Sequence, residues 1–410
     1  MLSVEDALAR ILAAIPVLGA ETVELTAGLG RILAEPVVAG RDLPPWENSA
    51  MDGYALRAAD TAEAGPERPA RLRLVGEVAA GAVAGHPVAA GEVYRILTGA
   101  PLPAGADAVV PQEDVRREGS TLLVPRPVRR SEFVRPRGED IRAGETVLAP
   151  GAMLGPAALG VLAALGRPLV RVYQRPRVAV LSTGDELVDF EAMPGPGQIS
   201  NSNSYTLSAQ VREAGGLPVN LGIARDSREE LEERFRAGLT ADVLVSSAGV
   251  SVGDRDLVRE VMEKLGAELD FWKVSMRPGK PLTFGRLAGR PFFGLPGNPV
   301  SSMVTFELFV RPALRRMGGH ADLFRSRARA RLLEPLDNPG PRRGYLRVRL
   351  GREGEVLTAR PTGGQGSGIL RSMLLADGLA VVAPDTRVEP GQLVEVILLG
   401  SGAGLSLDEA

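Results

Sequence analysis

The chain has 410 residues, 44% of them hydrophobic and 24% charged, and at ~150 residues per domain there is room for about three globular domains. Lys and Arg total 48 against 50 Asp and Glu, so a formal net charge of −2 gives no bulk attraction to nucleic acid or an anionic membrane. Cysteine is absent and histidine occurs only at His86 and His320, which removes disulfides, thiolate nucleophiles, iron–sulfur clusters and cysteine zinc sites and leaves chemistry to carboxylates, cations, hydroxyls and backbone.

Residues 3–15 place Val4, Leu8, Ile11, Leu12 and Ile15 on one face behind an N-cap Ser3, which predicts an amphipathic helix. Glu5, Asp6 and Arg10 inside that stretch argue against a signal peptide. From about 70 to 148, short alternating pieces (71–75, 93–98, 108–111, 121–124) separated by Gly, Pro and Asp predict a β-rich segment. The longest uncharged run, Thr146 to Gly166, is broken by Pro150, Pro156 and four glycines; it reads as a turn and a short helix at 156–165, not a membrane span. A cytoplasmic protein is expected. Trp46 and Trp272 read as core residues, with a pocket wall as the other reading of Trp46.

From 177 onward strands and helices alternate: strand and loop at 177–187, helix 204–214, strand 217–223, helix 228–238, strand and loop at 242–249, helix 256–265. Three further strands (FWKVS, PLTFG, PFFGLPG) and a long helix over 300–317 follow. This alternation predicts a parallel sheet with helices on both faces and a ligand site beyond the carboxyl ends of its strands. After Gly318-Gly319 short strands return, with nine arginines and two acids between 323 and 352. That basic face reads either as a solvated surface or as an anion-facing one.

The loops that follow the predicted strands carry the chemistry. Thr183, Gly184, Asp185 and Glu186 follow one strand; small residues there let backbone N–H groups approach a ligand, although a turn before a helix explains them equally well. Ser247, Gly249, Ser251, Gly253 and Asp254 follow the next, ahead of Asp256, a composition suited to a phosphate at a helix start. Neither loop fits the Walker or dinucleotide pattern. Asp226 follows a third strand and reads as a helix cap or as a carboxylate holding Mg²⁺ near phosphates. Only three of the 48 basic residues are lysines, and two of them, Lys273 and Lys280, flank Arg277 around a Pro-Gly turn. A compact ammonium differs from a guanidinium fork, so the choice is informative. Asn298 as N-cap, Pro299 at N1 and Ser301 then predict a helix start with outward N–H groups, and with the cation turn they form a site for a tetrahedral oxyanion.

Seven motifs carry a resemblance: NSAMDGYA (48–55), RILTGAPLPAGADAVVPQED (95–114), RPRGEDI (135–141), LSTGDEL (181–187), SSAGVSVGDRD (246–256), RPGKP (277–281) and GLPGNPVS (294–301). In order and over nearly the whole chain, they resemble the molybdopterin molybdenumtransferase (MoeA) family, of which gephyrin's E domain is a relative. The resemblance implies a multidomain α/β plus β fold in an elongated homodimer. Its parts are an N-terminal helix and connecting domain (1–43 and 143–175), an inserted β-rich lid (44–142), an α/β molybdopterin-binding-like catalytic domain (176–322), to which the N-terminal helix can belong, and a small β-barrel-like domain (323–410).

It further implies insertion of molybdate into adenylylated molybdopterin with Mg²⁺-dependent release of AMP. Arg277, Lys280 and the Asn298–Ser301 helix start would neighbour molybdate, and the 183–186 and 247–254 loops would take the phosphate and pterin. Glu186, Asp226 and Asp254 would be the acidic candidates, the last two as metal ligands. Asp52, Thr98 and Asp140 would face the partner subunit's site from the lid, and Arg347 and Ser367 would reach in from the last domain. A molybdopterin adenylyltransferase is the partner implied upstream. Where the family has two glycines and a lysine, this chain has Ala248-Gly249 and Arg277. Two other functions fit some of these residues: a molybdopterin adenylyltransferase, and a non-catalytic cofactor carrier or scaffold.

Overall fold

Residues 1–248 and 257–400 are described by the structure, a computed structural model. The N-terminal helix spans Val4–Ala14, and Ser3 Oγ accepts the Asp6 N–H at 3.0 Å, as its capping sequence predicts. Its apolar face does not stand alone. Val4, Ala7, Ile11 and Ile15 complete the larger core of the α/β unit, against Val178, Val243 and Phe293.

That unit is built on six strands in the order Leu217–Ala224, Arg177–Thr183, Val243–Ser247, Arg290–Leu295, Pro281–Leu287, Ala267–Lys273. The first four are parallel, and Pro281–Leu287 runs antiparallel to both its neighbours, so the expected parallel sheet is mixed toward one edge. The reason is local: Ala288 (φ 47°) and Gly289 (φ 78°) make a two-residue turn that returns the chain directly, leaving no length for a crossover. Successive residues of the central strands face opposite sides. Val178, Val180, Val243 and Val245 pack under the helices Asn203–Glu213 and Pro299–Thr305, whereas Ala179, Leu181 and Leu244 pack under Arg228–Gly238 and Leu257–Lys264. Runs of continuous apolar residues are what a sheet buried on both faces requires.

The predicted long helix over 300–317 is continuous but not uniform. An α-helix Pro299–Thr305 passes through a π turn, Phe306–Val310, into Arg311–Met317, with the Arg311 N–H reaching back to Phe306 O. Pro312 has no N–H to give to the carbonyl four residues earlier, which favours a shifted ladder at this point.

Three other groups of elements surround the unit. Ala20–Glu24 pairs with Leu169–Tyr173 and Val37–Val38 with Thr146–Leu148 around a core of Leu33, Leu154, Leu162 and Val172. The uncharged run of 146–166 supplies the helix Pro156–Ala164, and no helix among the described residues is long and apolar enough to cross a membrane. A six-stranded sheet holds Ala108–Pro111, Gly53–Leu56, Glu92–Ile96, Ala70–Val78, Thr121–Val124 and Arg116–Glu118. Trp46 beside it is 53% exposed, contrary to the core reading, because the Pro44-Pro45 stretch runs over the surface. In the last part of the chain, Arg343–Glu353, Val356–Pro361, Arg327–Leu332, Leu393–Leu398 and Gly378–Val382 close on themselves as a five-stranded barrel around Leu332, Val348 and Val396. Part of its basic face is neutralised locally: Arg327 pairs with Glu395, Arg331 with Glu353 and Arg343 with Glu5 of the N-terminal helix.

The link into the barrel is pinned to the helix before it. Arg311 donates to Leu323 O, and His320 packs against Gly215 and Gly318. Burial and the positive charges of Arg315 and Arg311 pull the His320 pKa down from 6.5 to about 4. The imidazole is therefore neutral in the folded chain and takes up a proton more readily when unfolded. Its contribution is complete above the ordinary value near 6.5 and is lost as pH falls toward about 4. Thermal melts of wild type and His320→Gln should converge or cross on acidification, the wild type losing up to about 3 kcal/mol relative to the variant between pH 7 and 4. A stability difference independent of pH would remove this assignment.

Candidate functional site

The chain enters the α/β sheet at Arg177–Thr183, places Leu217–Ala224 on one side of that strand and Val243–Ser247 on the other. Where strand order reverses in this way, adjacent loops leave in opposite directions and open a crevice at the carboxyl edge. The loops after Thr183, Ala224 and Ser247 and the helix start at 297–301 border it.

Thr183 is 1% exposed and its Oγ1 has no hydrogen-bond partner. Gly184 holds φ 141°, and a Cβ there would collide with the carboxylate of Glu186, which folds back over it. No helix begins after this loop; Leu187–Val188 pairs instead with Ile199–Ser200, so the acids are not helix-start acids. Asp185 accepts the Asp226 N–H at 3.1 Å, and Arg225 donates to the carbonyls of Asp185 and Leu187, each at 2.9 Å. Arg225, which sequence reasoning passed over, thus staples two loops together. The cap of helix Arg228–Gly238 is Ser227, whose Oγ accepts the Glu230 N–H, which leaves the Asp226 carboxylate uncommitted. Partial burial, with repulsion from Asp185 and Glu186, raises the Asp226 pKa above the ordinary carboxylate value.

Ser247 ends its strand 1% exposed, and Ala248 follows at φ 69°. The sequence departure therefore falls at a left-handed position, where a Cβ costs about 1–2 kcal/mol relative to glycine. Gly249, Ser251, Gly253, Asp254 and Asp256 lie outside the described residues. Among the described residues no three metal-ligating side chains converge.

The cations come from the opposite bank. Lys273 closes the edge strand, and Lys280 is exposed, with no ion pair among the described residues. Gly279 between Pro278 and Lys280 has φ 106°, and a Cβ there would strike Thr305, so the turn sits tight on the helix. Met276–Arg277 pairs in parallel with Arg343–Gly344, and Arg277 donates to Pro339 O at 3.1 Å. The barrel is thus stitched to the cation turn.

Asn298 has the backbone of an N-cap ahead of Pro299, but its side chain makes no capping bond. It donates instead to Ser367 Oγ at 3.0 Å, while the Val300 N–H goes to Ser367 O at 3.1 Å. The glycine-rich 363–368 loop of the barrel has taken up part of the predicted free helix start. Ser301 lies buried in the first turn. Arg347 completes this wall. Its guanidinium is 0% exposed; Nε donates to Ser372 Oγ at 3.0 Å and Nη2 to Gly366 O at 3.1 Å, while Nη1 has no partner among the described residues. Burial, then repulsion from Arg277, pulls its pKa down to about 10. No carboxylate among the described residues pairs with it, a costly state for a buried cation unless an anion arrives.

Asp52, Thr98 and Asp140 form a separate group. Asp52 Oδ1 accepts both the N–H and the hydroxyl of Thr98 at 2.7 Å, which lowers its pKa. Asp140 is exposed beside Leu43. No hydrogen bond or ion pair among the described residues joins these three to the α/β loops.

A switch-point α/β unit thus sets its carboxyl-edge loops beside a buried guanidinium, at a junction of two folding units. The sequence matches the MoeA N-terminal region (domain I and II) over 2–166, a probable molybdopterin binding domain over 179–316 and the MoeA C-terminal region (domain IV) over 329–399. The chain is 39% identical to the molybdopterin molybdenumtransferase of Nostoc sp., over 92% of this chain and 88% of that one, and 33% identical to that of Staphylococcus aureus, over 98% and 96%. The crystal structure of the molybdopterin biosynthesis MoeA protein of Pyrococcus horikoshii superposes with a TM-score of 0.85 at 36% identity, covering 97% of this chain and 99% of that one. The chain belongs to the MoeA family.

Two measurements probe this geometry. A tetrahedral dianion such as molybdate at ~100 times its Kd should stabilise the wild type by about 2.7 kcal/mol. Arg347→Gln should lose that rise in melting temperature, and an equal rise in the variant would discount the guanidinium. Ala248→Gly should raise stability by roughly 1 kcal/mol in denaturant unfolding by relieving the left-handed alanine; a loss would mean that the methyl contributes packing worth more than the strain.

Proposed function

We propose that the protein inserts molybdate into adenylylated molybdopterin and releases AMP, as a magnesium-dependent homodimer of the cytoplasm. The observation that carries this reading is the buried Arg347 guanidinium, without a carboxylate and with one free N–H edge, beside Arg277. Molybdate is a tetrahedral dianion whose charge would answer that of this corner. Arg347 and Arg277 offer fork donors, Lys280 a mobile ammonium, and the Asn298–Ser301 turn its remaining N–H groups.

The phosphate-bearing substrate is assigned to the opposite bank. Thr183 offers an unspent hydroxyl, and Ser247 offers its Oγ. This brings the pterin and the oxyanion into one crevice, where fixed orientation is itself a large part of catalysis. The donor set also suits magnesium. Asp226 is a hard oxygen ligand whose pKa is raised first by burial and then by the charges of Asp185 and Glu186, a strain that a cation would relieve. Asp226, with Asp254 from the loop outside the described residues, would hold the ion. Such an ion would supply positive charge to the phosphoanhydride. Lid residues Asp52, Thr98 and Asp140 would act on the partner subunit's crevice, and a molybdopterin adenylyltransferase would supply the substrate.

The adenylyltransferase reading needs only the α/β unit and leaves Arg347 and Ser367 unexplained. The carrier reading leaves the unpaired cations without a chemical purpose.

Lys280→Gln removes the exposed ammonium without touching the core. Molybdate-dependent AMP release should fall by ~100-fold or more, with the melting temperature unchanged. Wild-type turnover in this variant would remove Lys280 from the site, and adenylylation of molybdopterin by the wild type with MgATP would replace the proposed reaction by its predecessor.

A further inference from the structure

Asn203 appears in none of the motifs that carry the family resemblance, yet it stands where the two banks of the crevice meet. It opens the helix Asn203–Glu213, behind the short Ile199–Ser200 strand. Its Nδ2 donates to Ser247 Oγ at 2.6 Å and to Gly297 O at 2.7 Å. The orientation of the amide is fixed by chemistry: a backbone carbonyl only accepts, so the nitrogen faces Gly297. Both amide hydrogens are therefore spent. Its Oδ1 is buried with no donor, so among the described residues these two bonds are all that the side-chain amide makes.

The two acceptors belong to different loops. Ser247 ends the strand of the phosphate-facing bank, and Gly297 precedes the Asn298 helix start of the oxyanion-facing bank. Their strands run side by side in parallel, with Ser247 opposite Leu295, but the strand ladder stops there. Beyond it the Ala248 N–H still reaches Leu295 O at 3.1 Å, and a Cβ on Gly297 would lie 3.1 Å from Ala248 Cβ. Contact keeps the loops from approaching further. Asn203 keeps them from parting.

We propose that Asn203 is a positioning residue for the transfer reaction, its amide fixing the gap between the loop that receives the phosphate-bearing substrate and the helix start that receives the oxyanion. This inference rests on the function proposed above. Asn203 touches neither ligand in this assignment; it acts through Ser247 and Gly297. A misplacement of about 1 Å between reacting groups is enough to cost ~100-fold in rate. Loss of the tie should therefore appear in turnover and in the joint binding of the two ligands, with each ligand alone bound normally.

The test uses the full-length protein and the variants Asn203→Ala and Asn203→Asp. Asp keeps the size of the side chain but, when ionised, has no N–H to give and sets an oxygen against Gly297 O. Molybdate-dependent AMP release should fall at least tenfold in both, while calorimetric Kd values for molybdate alone and AMP alone stay within about threefold of wild type. The Asp variant should regain rate as pH falls and its carboxyl protonates, since a carboxylic acid again donates one hydrogen bond; a packing role would show no such recovery. Wild-type turnover in both variants, or equal losses in turnover, single-ligand binding and melting temperature, would overturn the proposal. A wild type that releases no AMP would sink the transfer function, and the change in AMP affinity on adding molybdate then decides the matter. A change in that coupling in Asn203→Ala, with single affinities kept, supports the tie; an unchanged coupling, or the absence of AMP binding in the wild type, overturns it. Should Asn203→Ala fail to fold, Asn203→Asp carries the same comparisons.

Discussion

A positive charge held without a partner governs this structure. Arg347 sits wholly out of solvent with one edge of its guanidinium unanswered, and Arg277 adds repulsion from across the junction. Folding alone gains nothing by such an arrangement, because a buried cation lacking a counter-charge is destabilising by several kcal/mol. Ser372, Gly366 and Gln365 orient the residue, and the helix start at Asn298 faces it through Ser367. Under the function proposed above, a bound anion would offset that cost and link the stability of the junction to its occupancy.

The opposite bank shows the mirror image. Burial first, and then the charges of Asp185 and Glu186, raise the Asp226 pKa. Acid on one side and base on the other do not neutralise each other across the crevice: Asp185 is engaged by a backbone N–H, and Arg277 by a carbonyl. Under the proposed function, each bank would keep its charge for a ligand of the other sign. A substrate carrying both phosphates with their cation and a separate oxyanion is the kind of cargo such a division accommodates.

Much of this was legible in the amino-acid order. Strands such as 177–183 and 243–247 alternate between two apolar cores, so continuous hydrophobic runs ending in Ser-Thr-Gly or Ser-Ser-Ala announced both the sheet and its ligand edge. The N-terminal helix was equally plain from Ser3 and its apolar spacing. What pattern could not deliver was tertiary: the antiparallel edge set by Ala288-Gly289, the π turn before Pro312, and the diversion of Asn298 from capping to Ser367. Asn203 was hidden for a related reason. In Ser202-Asn203 at a helix start, a polar side chain reads as a cap, and only the three-dimensional meeting of 247 with 297 reveals another use. Arg225 and Ser227 exchange roles with Asp226 in the same way, by proximity that no spacing rule encodes.

One consequence concerns how far this architecture is modular. Met276–Arg277 is a strand of the barrel sheet although it lies in the middle of the α/β unit's chain, and Ser367 returns the favour by seating the start of that unit's longest helix. A fragment ended at residue 322 would retain every switch-point loop but would forfeit one rim of the crevice. Trimming the protein to its most recognisable fold therefore dismantles the pocket, and any ancestor lacking the barrel must have gripped its cargo differently.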